Sequence, residues 1–185
     1  MPKGKAKDPL DPKFLIKHAS GLTSSSGGGR PPTIDARRAA SAAYYAAYHA
    51  ATGAVSELLF GEQWLHGVRW LSHKAVIDAS RLVSRLGPLN SQQPSGDPDR
   101  VRDRSVWSIF QEIGGAQPDL LYAMEGLRSL RAEREIADYD RVQHVPRATA
   151  RALVRQADLV RRFFESPRTA DADTRVFLAL AALKT

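Results

Sequence analysis

Cysteine is absent from all 185 residues, which excludes disulfides, thiolate catalysis and a cysteine-ligated zinc site. No apolar run reaches the roughly 18 residues that a transmembrane helix needs. The opening M-P-K-G-K-A-K-D-P is basic and carries no apolar stretch, so it is not a signal peptide, and a cytoplasmic protein is expected. Nucleotide loops of the form G-x-x-x-x-G-K-[ST] are missing; the one glycine-rich segment, S-S-S-G-G-G-R-P-P from Ser24 to Pro32, follows no strand and reads as a flexible connector. G-x-S-x-G is missing too, and with it the nucleophile elbow of a serine hydrolase. His18, His49, His66, His73 and His144 are scattered, with neither H-E-x-x-H nor a close carboxylate partner, so no metal and no cofactor is expected. No segment alternates apolar and polar residues over strand length, which makes the chain all-α.

What is present fits one soluble helical domain. Apolar residues make up 43% and mean hydropathy is −0.35, enough for one substantial core. The formal charge of +7 is uneven: residues 1–30 hold six Lys and Arg against two Asp, a net +4. Residues 1–32 are therefore read as a basic, partly flexible segment, and 33–185 as the bundle. A nucleic-acid binder whose affinity lives in Lys3 to Lys17 is one reading of that tail.

The stretch from Ile34 to Phe60 is the best-determined piece: alanine recurs throughout, with no proline and one glycine. At about 100° per residue, Arg38, Tyr45 and His49 share one face, and Arg37, Tyr44 and Tyr48 form a second stripe about 100° away. Alanines between the tyrosines let neighbouring helices approach closely, as in the interior of a bundle. The tyrosines and His49 are then either satisfied core residues or part of a ligand site. Thr33 or Asp35 can cap this helix.

Six further helical stretches, long and short, flank it. Pro12 to Gly21 offers Phe14, Leu15 and Ala19 for docking. Gln63 to Leu86 places apolar residues, including Trp64, Trp70 and Leu71, at helical spacing, with Arg69 four before His73. A proline-rich loop from Gly87 to Asp99, of the length that is often functional or mobile, leads to a short helix, Ser105 to Ile113. A long helix opens at Pro118, and another at Val145-Pro146 puts Leu153, Ala157, Val160 and Phe164 on one stripe and Arg147, Arg151 and Arg155 on another. A final apolar helix, capped by Asp171 or Asp173, must pack on the bundle or across a dimer. An antiparallel bundle of about five to six helices is expected.

Two motifs carry a family resemblance. R-R-A-A-S-A-A-Y-Y-A-A-Y-H-A, from Arg37 to Ala50, resembles the first long helix of HEPN domains, in which Phe is usual where Tyr48 stands. R-A-E-R-E-I-A-D-Y-D, from Arg131 to Asp140, resembles the A-D-Y-D signature of one HEPN branch. The resemblance spans about Pro9 to Glu165. It implies a HEPN-like bundle that forms a homodimer and binds RNA or a nucleotide in a toxin, stress or phage-defence setting. Metal-independent endoribonuclease activity belongs to that implication, as does the alternative of a non-catalytic module holding a partner protein such as a nucleotidyltransferase.

Active members carry R-x4-6-H late in the bundle, histidine acting as general acid or base and arginine stabilising the pentacoordinate phosphate. This chain departs from that motif: Arg69 and His73 give R-x3-H, and Arg141 and His144 give R-x2-H. The resemblance puts Arg131, Arg134, Asp138 and Tyr139 in the motif's place as catalytic candidates, His73 as the alternative, and Arg38, Tyr45 and His49 beside them as ligand-binding residues. Helical geometry lets Asp138 pair with either Arg131 or Arg134, so the cluster is either a packing device or a phosphate or nucleotide pocket.

Overall fold

The computed structural model describes residues 11–24, 32–61, 72–96, 100–140 and 142–183, the side chains of Pro32 and Arg168 excepted. Among them are seven α-helices and no strand: α1 (Pro12–Ser24), α2 (Pro32–Phe60), α3 (His73–Leu86), α4 (Val101–Glu112), α5 (Pro118–Tyr139), α6 (Arg147–Phe164) and α7 (Ala172–Ala182). The all-α bundle is as expected, with seven helices in place of five to six. The expectations for the basic tail before Asp11, for the connector at residues 25–31, and for Trp64, His66, Arg69, Trp70, Leu71 and Arg141 lie outside the described residues.

α2 is the spine. Ala36, Ala39, Ala40, Ala43, Ala47, Ala50, Ala51 and Ala54 are all buried, and α2 packs on α1, α5 and α6. With only a methyl group at each contact, three helices close on one rod of about 43 Å. The chain directions follow from side-chain contacts. Arg37 reaches the carbonyls at the end of α5, Ser41 reaches Asp138 and Tyr45 meets Arg134, so α2 and α5 are antiparallel. Lys13 pairs with Glu165 at 3.4 Å and Arg151 donates to the Thr23 carbonyl at 3.0 Å, so α1 and α6 are antiparallel as well. Leu153, Ala157, Val160 and Phe164 form the buried stripe of α6, as the spacing predicts.

Several local expectations need correction. Phe14 is exposed while Ala19 is buried, because the docking face of α1 runs through Ala19 and Thr23. Thr33 and Asp35 lie inside the first turn of α2, where Asp35 complements the helix dipole instead of capping it. Ser72 is extended and its hydroxyl accepts the Ala75 amide at 3.0 Å, so α3 starts at His73 and does not continue a helix from Gln63. The loop after α3 is tied down over Gly87–Gly96: Trp107 Nε1 donates to the Ser91 carbonyl at 3.1 Å and Ala116 N to the Gly87 carbonyl at 2.7 Å. α4 ends where Gly114 and Gly115 take positive φ, and a side chain at Gly115 would press on Leu89. Asp171 stands at the N-cap of α7 without a side-chain capping bond, while the buried Asp173 accepts the Gln117 amide at 2.9 Å and so caps α5 from a neighbouring helix. α7 packs within the chain, burying Phe177, Leu178, Leu180 and Ala181, with Phe177 against Phe164.

α5 and α6 meet tightly at Gly126, where a Cβ would lie 2.6 Å from Val160 Cγ2. Alanine there gains about 1 kcal/mol of helix propensity but overpacks a β-branched side chain at a cost of about 1–3 kcal/mol. Gly126→Ala is therefore expected to lower the unfolding free energy by about 1 kcal/mol, and to cost less in a Val160→Ala background. Equal costs in the two backgrounds, measured by denaturant titration, would show that the contact does not constrain the pair.

Candidate functional site

Three helices converge on a cluster of rings and guanidinium groups. α2 supplies Tyr44, Tyr45, Tyr48 and His49, the first turn of α3 supplies His73, and the last turns of α5 supply Arg131, Arg134, Asp138 and Tyr139. His73 is the pivot. Its Nδ1 lies 2.6 Å from the Tyr44 hydroxyl, and its ring stacks on Tyr48 with centroids 4.0 Å apart and planes within 12°. Tyr45 meets the same ring edge-on at 5.6 Å. The Ser72 cap fixes where α3 begins and so holds His73 against α2. Where the Tyr44 hydroxyl donates to Nδ1, Nε2 carries the imidazole proton; where Nδ1–H donates to the Tyr44 oxygen, Nε2 keeps a free lone pair. Nε2 has no hydrogen-bond partner among the described residues.

Arg134 is the second anchor. Its guanidinium lies over the Tyr45 ring at 5.5 Å and the Tyr139 ring at 5.1 Å, and its Nη2 donates to the Tyr45 hydroxyl at 3.0 Å. Nε sits 2.6 Å from Asp138 Oδ2, yet without the alignment of a hydrogen bond, so this contact is an ion pair only. Arg131 turns to Glu135 instead, at 2.8 Å. Of the two pairings open to Asp138, the structure selects Arg134. Ser41 adds a long 3.4 Å contact to the same carboxylate.

The protonation states follow from these surroundings. Burial, and then the Arg134 and Arg131 charges and His49, push the His73 pKa below its ordinary 6.5. Burial raises Tyr44 well above the phenol range, and raises Tyr48 as well. Burial works against the Arg134 charge, but Tyr45 and Asp138 outweigh it and the guanidinium stays charged. The site thus holds a neutral imidazole beside two cations, a pairing suited to moving a proton next to an anionic group.

Tyr45, Arg134, Asp138 and Tyr139 come together as one unit, and His73, read from sequence as an alternative to them, belongs to the same cluster. His49 stacks on Tyr45 with centroids 6.2 Å apart. Arg38 is exposed and makes no hydrogen bond or ion pair to the cluster among the described residues. Its neighbour Arg37 does the anchoring, donating to the carbonyls of Ile136, Asp140 and Gln143 at the end of α5. That role was visible only as the stripe Arg37 shares with Tyr44 and Tyr48. Asp140 closes the turn by accepting the Val142 and Gln143 amides, which hold its carboxyl below the usual range. His144 is exposed. Among the described residues, no three His, Asp or Glu converge as a metal-binding group, and no helix is long and apolar enough to cross a membrane.

A lowered folded-state pKa means that the unfolded chain takes up the His73 proton first. Its contribution to stability is complete above about pH 6.5 and is lost as pH falls from there through the folded value. His73→Gln is expected to flatten stability between pH 7.5 and pH 5. By NMR titration, Arg134→Gln should raise the His73 midpoint while leaving it below 6.5, since burial is the larger cause. A midpoint unmoved by that substitution would separate Arg134 from His73 electrostatically. No family model, curated protein or solved structure matches this chain.

Proposed function

We propose that the chain is a HEPN-like RNA-binding protein of a toxin, stress or defence system, acting as a metal-independent endoribonuclease at the His73–Arg134 cluster. One observation carries the reading: a neutral histidine with Nε2 unbonded stands within the field of two arginines on the helix that bears A-D-Y-D. In the tautomer whose Nδ1–H donates to the Tyr44 oxygen, the free Nε2 lone pair of His73 takes the proton of a ribose 2′-hydroxyl. The 2′-oxygen then attacks phosphorus, the bond to the 5′-oxygen breaks, and the proton returns to that oxygen, leaving a 2′,3′-cyclic phosphate and a 5′-hydroxyl. Arg131 and Arg134 stabilise the extra charge on the pentacoordinate phosphorus. The exposed ring of Tyr139 offers a base a stacking face.

A second reading is favoured by the pairing of Arg131 with Glu135 and of Arg134 with Asp138. Each guanidinium already has its counter-charge, as in a packing device, and the chain would then be a non-catalytic module that holds a partner protein or a second copy.

Cleavage of a mixed RNA by purified protein in EDTA separates the two. The endoribonuclease predicts products ending in cyclic phosphate, with His73→Ala and Arg131→Ala/Arg134→Ala each about 100-fold slower or worse. Folded wild-type protein that leaves RNA intact at every concentration would sink the enzyme and leave the interaction module.

A further inference from the structure

Arg128, Arg131 and Arg134 recur three residues apart on α5, so each lies about 4.5 Å further along the axis and about 60° round from the last. α3 runs antiparallel to α5: His73 at its start feels Arg131 and Arg134, while Asp78, Arg81 and Arg85 further on share a cleft with Arg128. That cleft, of about 500 Å³, lies between α3, α4 and α5, with Arg102 and Asp103 of α4 completing its wall.

Four arginines face two aspartates there. Asp103 pairs with Arg85 at 2.5 Å, and Asp78 is shared between Lys74 at 2.9 Å and Arg81 at 3.8 Å. Arg128 turns to Glu125, which is not part of the cleft wall. Arg102 has neither ion pair nor hydrogen bond among the described residues. A balanced surface network would leave no such surplus. The planar guanidinium fork matches two oxygens of a phosphate, and a cleft of this size accommodates a nucleotide unit. The arginine row on α5 joins the cleft to the His73 site, one side chain per turn.

We propose that this cleft holds the phosphodiester backbone of the single-stranded RNA whose scissile linkage lies at His73 and Arg134, with Arg128 and Arg131 as the track between them. The proposal rests on the RNA reading above and adds the subsite that anchors the strand. Arg81, Arg85 and Arg102 supply affinity there, indifferent to base sequence.

The test follows the arginine Nε–Hε NMR signals of the full chain as a single-stranded RNA oligomer is added, and in a parallel sample as pyrophosphate is added. RNA is expected to shift Arg81, Arg85 and Arg102 together with Arg134. In fluorescence anisotropy, Arg81→Gln/Arg102→Gln should weaken oligomer binding about tenfold and reduce the salt slope by about 0.7 per arginine removed. Shifts at Arg134 alone, with oligomer affinity unchanged in the double variant, would overturn the cleft and keep the RNA reading. Shifts at the cleft alone would support the cleft and remove the His73 site. A cleft that answers pyrophosphate but not RNA belongs to another anion, acidic protein segments included, and overturns the proposal. Silence of both sites toward RNA overturns both. Since the NMR readings are made on wild type, they do not depend on the variant folding.

Discussion

Close approach to an alanine-lined helix is the constraint on which the remaining geometry depends. α2 offers methyl groups where α1, α5 and α6 meet it, and the tyrosines appear only where the face turns toward the start of α3 and the end of α5. Bring α5 that near and Arg134 can lie over Tyr45 while donating to its hydroxyl. Were the contacts leucine, the axes would separate toward the wide end of the usual 8–10 Å, and a guanidinium fixed at both rings would lose one of them. Packing at alanines thus sets the position of the polar groups.

The same closeness produces the electrostatics. His73 is held between Tyr44 and Tyr48 and half removed from water, and two arginines face it from α5. Burial and like charge act in one direction, toward the neutral ring. Asp138 and Glu135 offset the arginines' charge, and the neutral His73 is left as a group of the cluster able to exchange a proton. Arg37 contributes at one remove: by donating to the carbonyls of Ile136 and Asp140 at the end of α5 and of Gln143 in the turn beyond, it fixes the register of α5 against α2.

Much of this was legible in the sequence, for reasons that differ by element. The alanine run from Ile34 and the proline at Pro118 announced α2 and α5 because propensity and N-terminal proline act locally. The stripe through Leu153 and Phe164 announced the buried face of α6 because helical period does too. The start of α3 was misread because one serine hydroxyl, at Ser72, overrides an apolar pattern that runs through it. Which of Arg37 and Arg38 meets α5 was not legible for another reason: two adjacent arginines lie about 100° apart, and only tertiary contact decides between them. The meeting of His73 with the A-D-Y-D helix was not legible at all, since no local signal links residues so far apart in the chain. Asp173 capping α5 from α7 belongs to the same class.

The carboxylate partners of Arg131 and Arg134 decide how labour divides along the arginine row. A guanidinium has five N–H donors. On Arg134 one is given to the Tyr45 hydroxyl, one faces Asp138 and one is shared with Tyr139, which leaves part of the fork open to an anion on the reading proposed above. Donor geometry is therefore intact while net charge is largely cancelled. Such a group orients an anion well and attracts it weakly, because attraction at a distance follows net charge whereas orientation follows directed donors. Arg102, with no ion pair among the described residues, has the opposite character. On the RNA reading proposed above, an anion would be drawn at the end of the row where charge is uncompensated, and aligned at the end where aromatic rings and Asp138 hold the guanidinium still.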